Sequence, residues 1–191
     1  TLEGWEAISL VGSYAWENAS YEEEYFAKMV GFTGGVAQDN DDWLISPAIN
    51  LANSSNSHLR FDSAKNDYDA DLKVWVASDY AGDVTTATWV ELTEQAAFST
   101  GGYEWVNSGP LNLSAYDGQT IHIAFQFISD VAANKTGAWE VDNIEIYGNL
   151  PHFTLQLLHF ADIDGSGSME TIDNVKRFSS LVSHFRGEYA H

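Results

Sequence analysis

Oxygen-bearing side chains recur at regular spacing in FTLQLLHFADIDGSGSMETIDNV, residues 153–175. Five residues fit loop positions 1, 3, 5, 6 and 12 of an EF-hand, where position 6 is the turn glycine: Asp162, Asp164, Ser166, Gly167 and Asp173. An EF-hand also needs an entering helix and a bidentate Glu at position 12, whereas residues 153–161 have the pattern of a strand and position 12 is Asp. Three interpretations stay open: a calcium loop, the start of a metal-dependent hydrolase, and a solvated turn.

The chain is strongly acidic, with 28 Asp and Glu against 8 Lys and Arg and a formal net charge of −20. Such a surface repels nucleic acid phosphates and attracts divalent cations, so we expect no binding of nucleic acid. Cysteine is absent, which excludes disulfides, a thiol nucleophile and a thiolate metal site. Apolar runs stay well short of the roughly 18 residues of a membrane span, so membrane insertion is not expected.

Hydrophobic residues before position 150 recur with a period of two, which is typical of half-buried strands. In residues 71–78 and 120–129 the apolar residues occupy alternate positions over the whole stretch. Further strands are expected at 5–10, 23–30, 42–49, 58–63, 88–93, 103–109 and 138–148. Because segments rich in Gly, Asn and Asp separate these strands, the sequence predicts an all-β fold, an antiparallel β-sandwich.

A domain boundary is predicted at YGNLPHF, where Gly, Asn and Pro interrupt the alternation. The predicted divisions are a β-sandwich module at 1–148, a linker at 149–152 and a C-terminal segment at 153–191. In the last segment a strand is followed by an acidic turn and by a helix at 170–189, whose apolar residues recur at three- and four-residue steps. We therefore expect a short C-terminal strand–helix extension.

Six blocks of sequence support a resemblance for the first module: DDWLISPAINL (41–51), LRFD (59–62), LKVWVASDYAGD (72–83), TWVEL (88–92), W–SGPLNLSAYDGQTIHIAFQF (105–127) and TGAWEVDNIEIYG (136–148). In order and spacing they resemble the jelly-roll domains of bacterial surface and secreted proteins, of the choice-of-anchor J or cleaved-adhesin type, which are related in shape to MAM domains. The resemblance implies a jelly-roll β-sandwich with one or more structural calcium ions and, in some members, contacts to carbohydrate or protein.

Oxygen donors for such a calcium ion are densest in AQDNDDW (37–43) and WEVDNI (139–144). In this kind of fold the first and last strands are neighbours, which brings Glu3 towards Asp142. A charge within the apolar strand at Asp142 is costly unless it is paired or binds a metal. The expected calcium ligands are Glu3, Asp41, Asp42, Asp142 and Asn143. The alternative is that Asp142 accepts backbone hydrogen bonds at a strand bend, with a solvated turn at 39–42.

The stretch FTLQLLHFADIDG (153–165) resembles the opening strand of metallophosphoesterases of the 5′-nucleotidase-like kind. There the strand ends in an Asp-x-His pair that binds a dinuclear metal centre. Asp162 matches that Asp, while Asp164 stands where the His is usual, so the second ligand departs from the pattern. The resemblance implies a divalent metal pair in the intact parent enzyme alone, because two Asp on one turn cannot form a two-metal site. We expect no catalysis by this chain.

Tryptophan supplies the candidate ligand platform, since sugar faces stack on exposed aromatic rings. Trp75 is the best candidate because it lies on the strand face opposite Leu72, Val74 and Val76. The other tryptophans considered are expected to fill the sandwich core: Trp43, Trp89, Trp105 and Trp139.

These features together predict a non-catalytic, calcium-binding accessory or adhesion module of a secreted or cell-surface bacterial enzyme. That enzyme would be a phosphoesterase or nuclease, with its catalytic domain downstream in the same chain. The alternative is a carbohydrate- or protein-binding module that acts through exposed aromatic residues, with a glycan or a surface protein as its partner.

Overall fold

The computed structural model describes Leu2 and residues 4–149. Its strands are β1 (Glu6–Val11), β2 (Glu17–Tyr21), β3 (Glu24–Val30), β4 (Phe32–Thr33), β5 (Val36–Ala37), β6 (Asn40–Ile45), β7 (Ile49–Asn50), β8 (Ser55–Lys65), β9 (Asp71–Ala77), β10 (Val90–Glu91), β11 (Val106–Asn107), β12 (Leu111–Asn112), β13 (Thr120–Ser129) and β14 (Ala138–Asn149). Two short 3₁₀ helices, Thr93–Gln95 and Ser114–Tyr116, complete the elements of this part of the chain.

Twelve of these strands form two antiparallel sheets that pack face to face, and β4 and β5 pair with each other as a separate two-stranded sheet. The first sheet has the order β1-β6-β13-β9-β10, with β7 paired to β13, and the second has the order β11-β8-β14-β3-β2, with β12 paired to β8. The predicted all-β antiparallel sandwich is confirmed. The predicted strand–helix extension at 153–191 lies outside the described residues.

The interior of the sandwich is built from the alternating strands that the sequence indicates. Four side chains of β13 point inward and are fully buried: Ile121, Ile123, Phe125 and Phe127. Phe125 meets Phe61 of the opposite sheet edge to face, with ring centroids 5.0 Å apart. Burial of each such side chain stabilises the fold by about 1.5–3 kcal/mol, so this inner layer determines which face of every strand is available for a site.

Strand β6 presents two different surfaces because successive residues point to opposite faces. Asn40, Asp42 and Leu44 face the sandwich interior. Trp43 and Ile45 face outward into a second cluster on the first sheet, called here the outer aromatic cluster: Ile8, Trp43, Ile45, Trp75, Tyr80, Val84, Trp89 and Ala124. The segment around Val84 covers this cluster, which gives the first sheet a buried outer surface.

Strand β14 changes phase at Asn143. The register to β8 shifts between Asp142 and Glu145, and Asn143 has a φ of 49°. Such a bulge adds one residue to a strand and exchanges its faces, so Ile144 and Ile146 pack against the same core as Val141. The sequence pattern predicts this switch, and it is confirmed.

Strand β2 was not expected. Its residues ENASY lack an alternating apolar pattern and are mostly exposed, because β2 is an edge strand that pairs only with β3. No helix within Leu2 and residues 4–149 has the length and hydrophobicity to cross a membrane.

Candidate functional site

The residues predicted to share one calcium ion lie on three different surfaces. Asp41 points from the outer face of the first sheet, together with Trp43. Asp42 is buried between the sheets, and Asp142 lies on the outer face of the second sheet beside Asp62. The prediction that Asp41 or Asp42 joins Asp142 in one site is therefore wrong, because Asp41 and Asp142 lie on the outer faces of different sheets and Asp42 lies between the sheets. Glu3 lies outside the described residues.

Asp41 holds the aromatic rings of the outer aromatic cluster in place. Its Oδ1 accepts hydrogen bonds from Trp43 Nε1 at 2.9 Å and from Gln126 Nε2 at 2.7 Å. Gln126 in turn accepts one from Trp75 Nε1 at 3.0 Å. This chain of hydrogen bonds gives Asp41 a structural role in the first sheet.

No donor lies in hydrogen-bond geometry at the Asp42 carboxylate, although the Ser9 hydroxyl is near enough to lower its pKa. The relative exposure of Asp42 is 0%, and both carboxylate oxygens lack a partner. Burial raises the pKa of Asp42 to about 6, with the Ser9 hydroxyl lowering the pKa and the Asp41 charge raising it. A buried ionised carboxylate without compensation is costly, so this residue requires a proton or a cation.

Asp142 and Asn143 line a cavity that also receives the start of the chain. Leu2 and Trp5, which precede β1, contribute to the same cavity. The expectation that the first and last strands are neighbours is wrong, because β1 pairs with β6 in the first sheet and β14 pairs with β3 and β8 in the second. Asn143 Nδ2 donates to Asp62 Oδ2 at 2.9 Å, which orients the amide oxygen away from Asp62.

Among Leu2 and residues 4–149, no three His, Asp or Glu side chains gather in a way that could hold a metal ion. A cation in this region would need amide, hydroxyl or backbone oxygens in addition to carboxylates. Asp162 and Asp164 lie outside the described residues, and their role stays a prediction.

Trp75 does lie opposite the inward face of β9, as expected, but its ring is only partly exposed. It stacks on Trp43 with ring centroids 5.8 Å apart and an interplanar angle of 28°. The Lys73 ammonium lies 5.6 Å from its ring centroid. Trp75 is thus part of the outer aromatic cluster, which leaves little open ring surface for a ligand.

An open aromatic surface exists instead on the outer face of the second sheet. It forms a groove of about 660 Å³, called here the Trp105 groove, lined by Ala19, Ser20, Tyr21, Phe26, Lys28, Tyr103, Trp105 and Glu140. Trp105 is 45% exposed and Tyr21 is 70% exposed. The expectation that Trp105 fills the core is wrong, because it projects from the outer face next to Phe26.

The floor of the Trp105 groove carries a cross-strand ion pair. Lys28 of β3 stands directly opposite Glu140 of β14, with Nζ and Oε1 3.2 Å apart. The Glu140 side chain is only 8% exposed. Lys28 also lies 5.5 Å from the ring centroid of Tyr103, so the pair presents charged hydrogen-bonding groups beside aromatic surface.

One end of the groove is acidic. The adjoining pocket shares Tyr21, Phe26 and Trp105 with it and adds five polar residues: Glu22, Glu24, Asp62, Asp142 and Asn143. With a single Lys at the floor, the surroundings favour neutral or cationic ligands over anionic ones.

A signal for Trp105 exists in the sequence but is weak. Val106 pairs with inward-facing Ser63, and Asn107 pairs with outward-facing Asp62. Alternate positions of a strand share one face, and Tyr103, Trp105 and Asn107 occupy such positions. The polar Asn107 marks that face as the outer one. The two-residue length of β11 hides this alternation.

Residues 48–154 match a family model described as a domain of unknown function, DUF5017. The match covers more than half of the 191 residues. The chain belongs to this family. No curated protein matches the chain significantly.

Several solved structures share the fold. The K1 cleaved adhesin domain of Lys-gingipain from Porphyromonas gingivalis W83 has a TM-score of 0.53 at 19% identity, over 76% of this chain and 91% of that one. The K2 cleaved adhesin domain of Lys-gingipain has a TM-score of 0.54 at 15% identity, over 76% and 90%. TmCBM61, solved in complex with β-1,4-galactotriose, has a TM-score of 0.51 at 16% identity, over 78% and 90%. The expected likeness to cleaved-adhesin domains is thus confirmed for the fold.

Proposed function

We propose that this chain is a non-catalytic module that binds neutral glycans in the Trp105 groove. The observation that carries the proposal is the exposed Trp105 ring beside the Lys28–Glu140 pair on one sheet face. The apolar face of a sugar ring stacks on Trp105, while sugar hydroxyls exchange hydrogen bonds with Lys28 and Glu140. Exposed aromatic surface next to a few fixed polar groups is the usual composition of a small-molecule site.

The negative charge around the groove favours neutral glycans over anionic ones as ligands. Asp62, Asp142 and the Glu22–Glu24 segment border the groove, and the whole chain has a net charge of −20. Uronic acid polymers and sialylated glycans would meet repulsion there. Neutral hexose polymers fit best, and the galactotriose bound to TmCBM61 makes β-1,4-galactan a suitable first probe.

Binding of neutral oligosaccharides by isothermal titration calorimetry, after a glycan array has identified the best ligand, tests the proposal. Trp105→Ala should abolish measurable binding. Tyr147→Ala is the matched control, because Tyr147 is similarly exposed, at 42%, and does not line the groove. The proposal fails if no neutral glycan binds, or if Trp105→Ala binds as tightly as the wild type.

Calcium binding at Asp142 and Asn143 is part of the proposal. Support comes from the bulge that directs both residues to one cavity and from the presence of Leu2 and Trp5 in it, which brings the sequence around Glu3 close by. Calcium accepts carboxylate and amide oxygens in flexible geometry. Bound there, the ion would link the start of the chain to β14 at the edge of the glycan groove.

An accessory role for a secreted or cell-surface bacterial enzyme is the second candidate function. Its support is in the sequence: the acidic, cysteine-free composition and the stretch at 153–165 that resembles a metallophosphoesterase strand. Under this proposal the module positions a downstream phosphoesterase or nuclease on glycan or on a surface protein. Pull-down of cell-wall material by the full-length parent protein, with and without residues 1–148, would test it.

A further inference from the structure

Strand β2 is a sheet edge that lacks the usual protection. Its five residues pair in unbroken register with β3, from Glu17 opposite Lys28 to Tyr21 opposite Glu24, and four of the five are exposed. The strand contains neither Lys nor Pro. Because an open edge can pair with another chain, natural edge strands are usually very short, bulged or interrupted by such residues. β2 therefore keeps a row of backbone groups available for a further strand.

The other edges of the two sheets are protected in the described part of the chain. The register of β1 is irregular between Ser9 and Val11, and β10, β11 and β12 have two residues each. A bulge twists an edge away from a partner, and a two-residue strand offers little backbone for pairing. Within residues 4–149, β2 is thus the edge that is both regular over its whole length and longer than two residues.

The hairpin geometry determines which backbone groups of β2 are free. A two-residue loop connects β2 to β3, and in such a turn the flanking residues, here Tyr21 and Glu24, are hydrogen-bonded to each other. Hydrogen-bonded and non-hydrogen-bonded pairs alternate along an antiparallel ladder. Asn18 and Ser20 therefore direct their N–H and C=O groups away from β3. No backbone hydrogen bond from another segment of the described residues reaches these four groups.

The charge at the end of β2 indicates what kind of strand would fit. Glu22 and Glu23 form the loop with φ values of 46° and 73°, where Asn-Gly is the usual pair, and Glu24 follows. The ion pairs of the described residues are all formed by other carboxylates. A partner with basic side chains would neutralise the three glutamates, whereas a second copy of this chain would add its own net charge of −20.

We propose that β2 is a docking edge for an extended, basic peptide segment of a partner protein, which adds to the second sheet as a further strand. The outward N–H and C=O groups of Asn18 and Ser20 supply the main-chain hydrogen bonds on which strand addition depends. The neighbouring glutamates favour Lys and Arg side chains. The peptide would lie beside the Trp105 groove, which Ser20 and Tyr21 help to line, so one sheet would bind both a glycan and a protein.

The probe is a short fluorescein-labelled peptide of alternating Lys and Val, titrated with the full chain and followed by fluorescence anisotropy. It should bind saturably. A peptide of the same length with Glu in place of Lys should not bind, because its charge has the wrong sign. A fully N-methylated Lys–Val peptide should also fail to bind, since it keeps the charge but has no N–H groups to donate to β2.

The matched protein variants are Asn18→Pro and Asn18→Ala. Proline removes the outward N–H and is tolerated on an edge strand where that group faces solvent. It should weaken binding of the Lys–Val peptide about tenfold, which corresponds to one strong backbone hydrogen bond. Alanine keeps the N–H and should bind as tightly as the wild type. Circular dichroism checks the fold, and the N-methylated peptide still decides the question if Asn18→Pro does not fold.

Three results would overturn the proposal. The first is the absence of binding at millimolar Lys–Val peptide. The second is equal binding of the N-methylated peptide, or equal binding by folded Asn18→Pro, which would leave only non-specific charge attraction. The third is a dimer of the protein alone in sedimentation experiments that Asn18→Pro dissociates, which would assign the edge to a second copy. Glycan titration of Asn18→Pro keeps the result separate from the proposed function, since Asn18 does not line the Trp105 groove.

Discussion

Trp105 packs edge-on against Phe26, with ring centroids 5.7 Å apart and an interplanar angle of 65°. Phe26 is 8% exposed and Trp105 is 45% exposed, so one ring supports and the other is presented to solvent. Phe26 should therefore contribute to the stability of the fold and Trp105 to ligand binding in the Trp105 groove. The two contributions can be measured separately.

Phe26→Ala should lower the free energy of unfolding by about 3 kcal/mol, because it removes a buried aromatic ring. Trp105→Ala should lower it by less than about 1 kcal/mol, because nearly half of its ring is already in water. Urea denaturation followed by circular dichroism measures both values. Equal losses of unfolding free energy in the two variants would contradict the assignment of Phe26 as the supporting ring and Trp105 as the ligand-binding ring.

Trp75→Ala should lower the stability of the fold without changing glycan affinity, which is the reverse of the effect expected for Trp105→Ala. It removes a ring stacked on Trp43 and the hydrogen bond to Gln126, so a loss of about 2 kcal/mol is expected. Glycan affinity should be unchanged. Urea denaturation and calorimetry of the two variants side by side would decide which tryptophan is the platform, and loss of binding in Trp75→Ala would restore the sequence-based prediction.

Lys28→Met should destabilise the protein by about 2 kcal/mol, since it leaves the Glu140 carboxylate nearly buried and without its partner. Glu140→Gln added to Lys28→Met should recover part of the loss by removing the charge. Thermal unfolding of the single and double variants checks this. A double variant less stable than Lys28→Met would show that Glu140 has another stabilising contact.

In the absence of calcium, ionisation of Asp42 should destabilise the fold as the pH rises. Its folded-state pKa of about 6 lies above the ordinary value of 3.8, so the folded protein binds the proton more tightly than the unfolded chain. The stabilisation is complete below pH 3.8 and is lost as the pH rises through 6, by about 3 kcal/mol in total.

The matched control for this pH dependence is Asp42→Asn, which lacks the titrating group. Asp79, Asp83 and Asp117 have lowered pKa values because their carboxylates accept hydrogen bonds, and they act in the opposite sense in both proteins. The difference between wild type and Asp42→Asn in chelator, measured by urea denaturation from pH 4 to 7, therefore isolates Asp42. A flat difference would show that Asp42 has its ordinary pKa.

The sandwich was predictable where one face of a strand is fully buried. Strand β13 alternates over ten residues because the core accepts every second side chain, and the phase change at Asn143 is visible in the apolar pattern of β14 for the same reason. Strand β2 was not predictable, because an edge strand exposed on both faces imposes no pattern on its sequence.

The sequence indicates which residue types could form a site, but it does not show which of them lie close together in the fold. Asp41 and Asp42 cannot be distinguished from their local sequence. Because successive strand residues point to opposite faces, Asp41 lies at the outer aromatic cluster and Asp42 lies in the core. Trp105 was misplaced because hydrophobicity alone favours burial, and only pairing of its neighbour Asn107 with Asp62 assigns it to the open face.

The two-sided character of β6 has a consequence for how this sequence can change. Inserting or deleting one residue within Asn40–Ile45 would exchange the two sides, moving Trp43 into the interior and Leu44 out among the rings. Substitutions that keep polarity and size on each side are tolerable one at a time, whereas a change of length here is not. Among relatives, this hexapeptide should therefore vary in identity while remaining free of gaps.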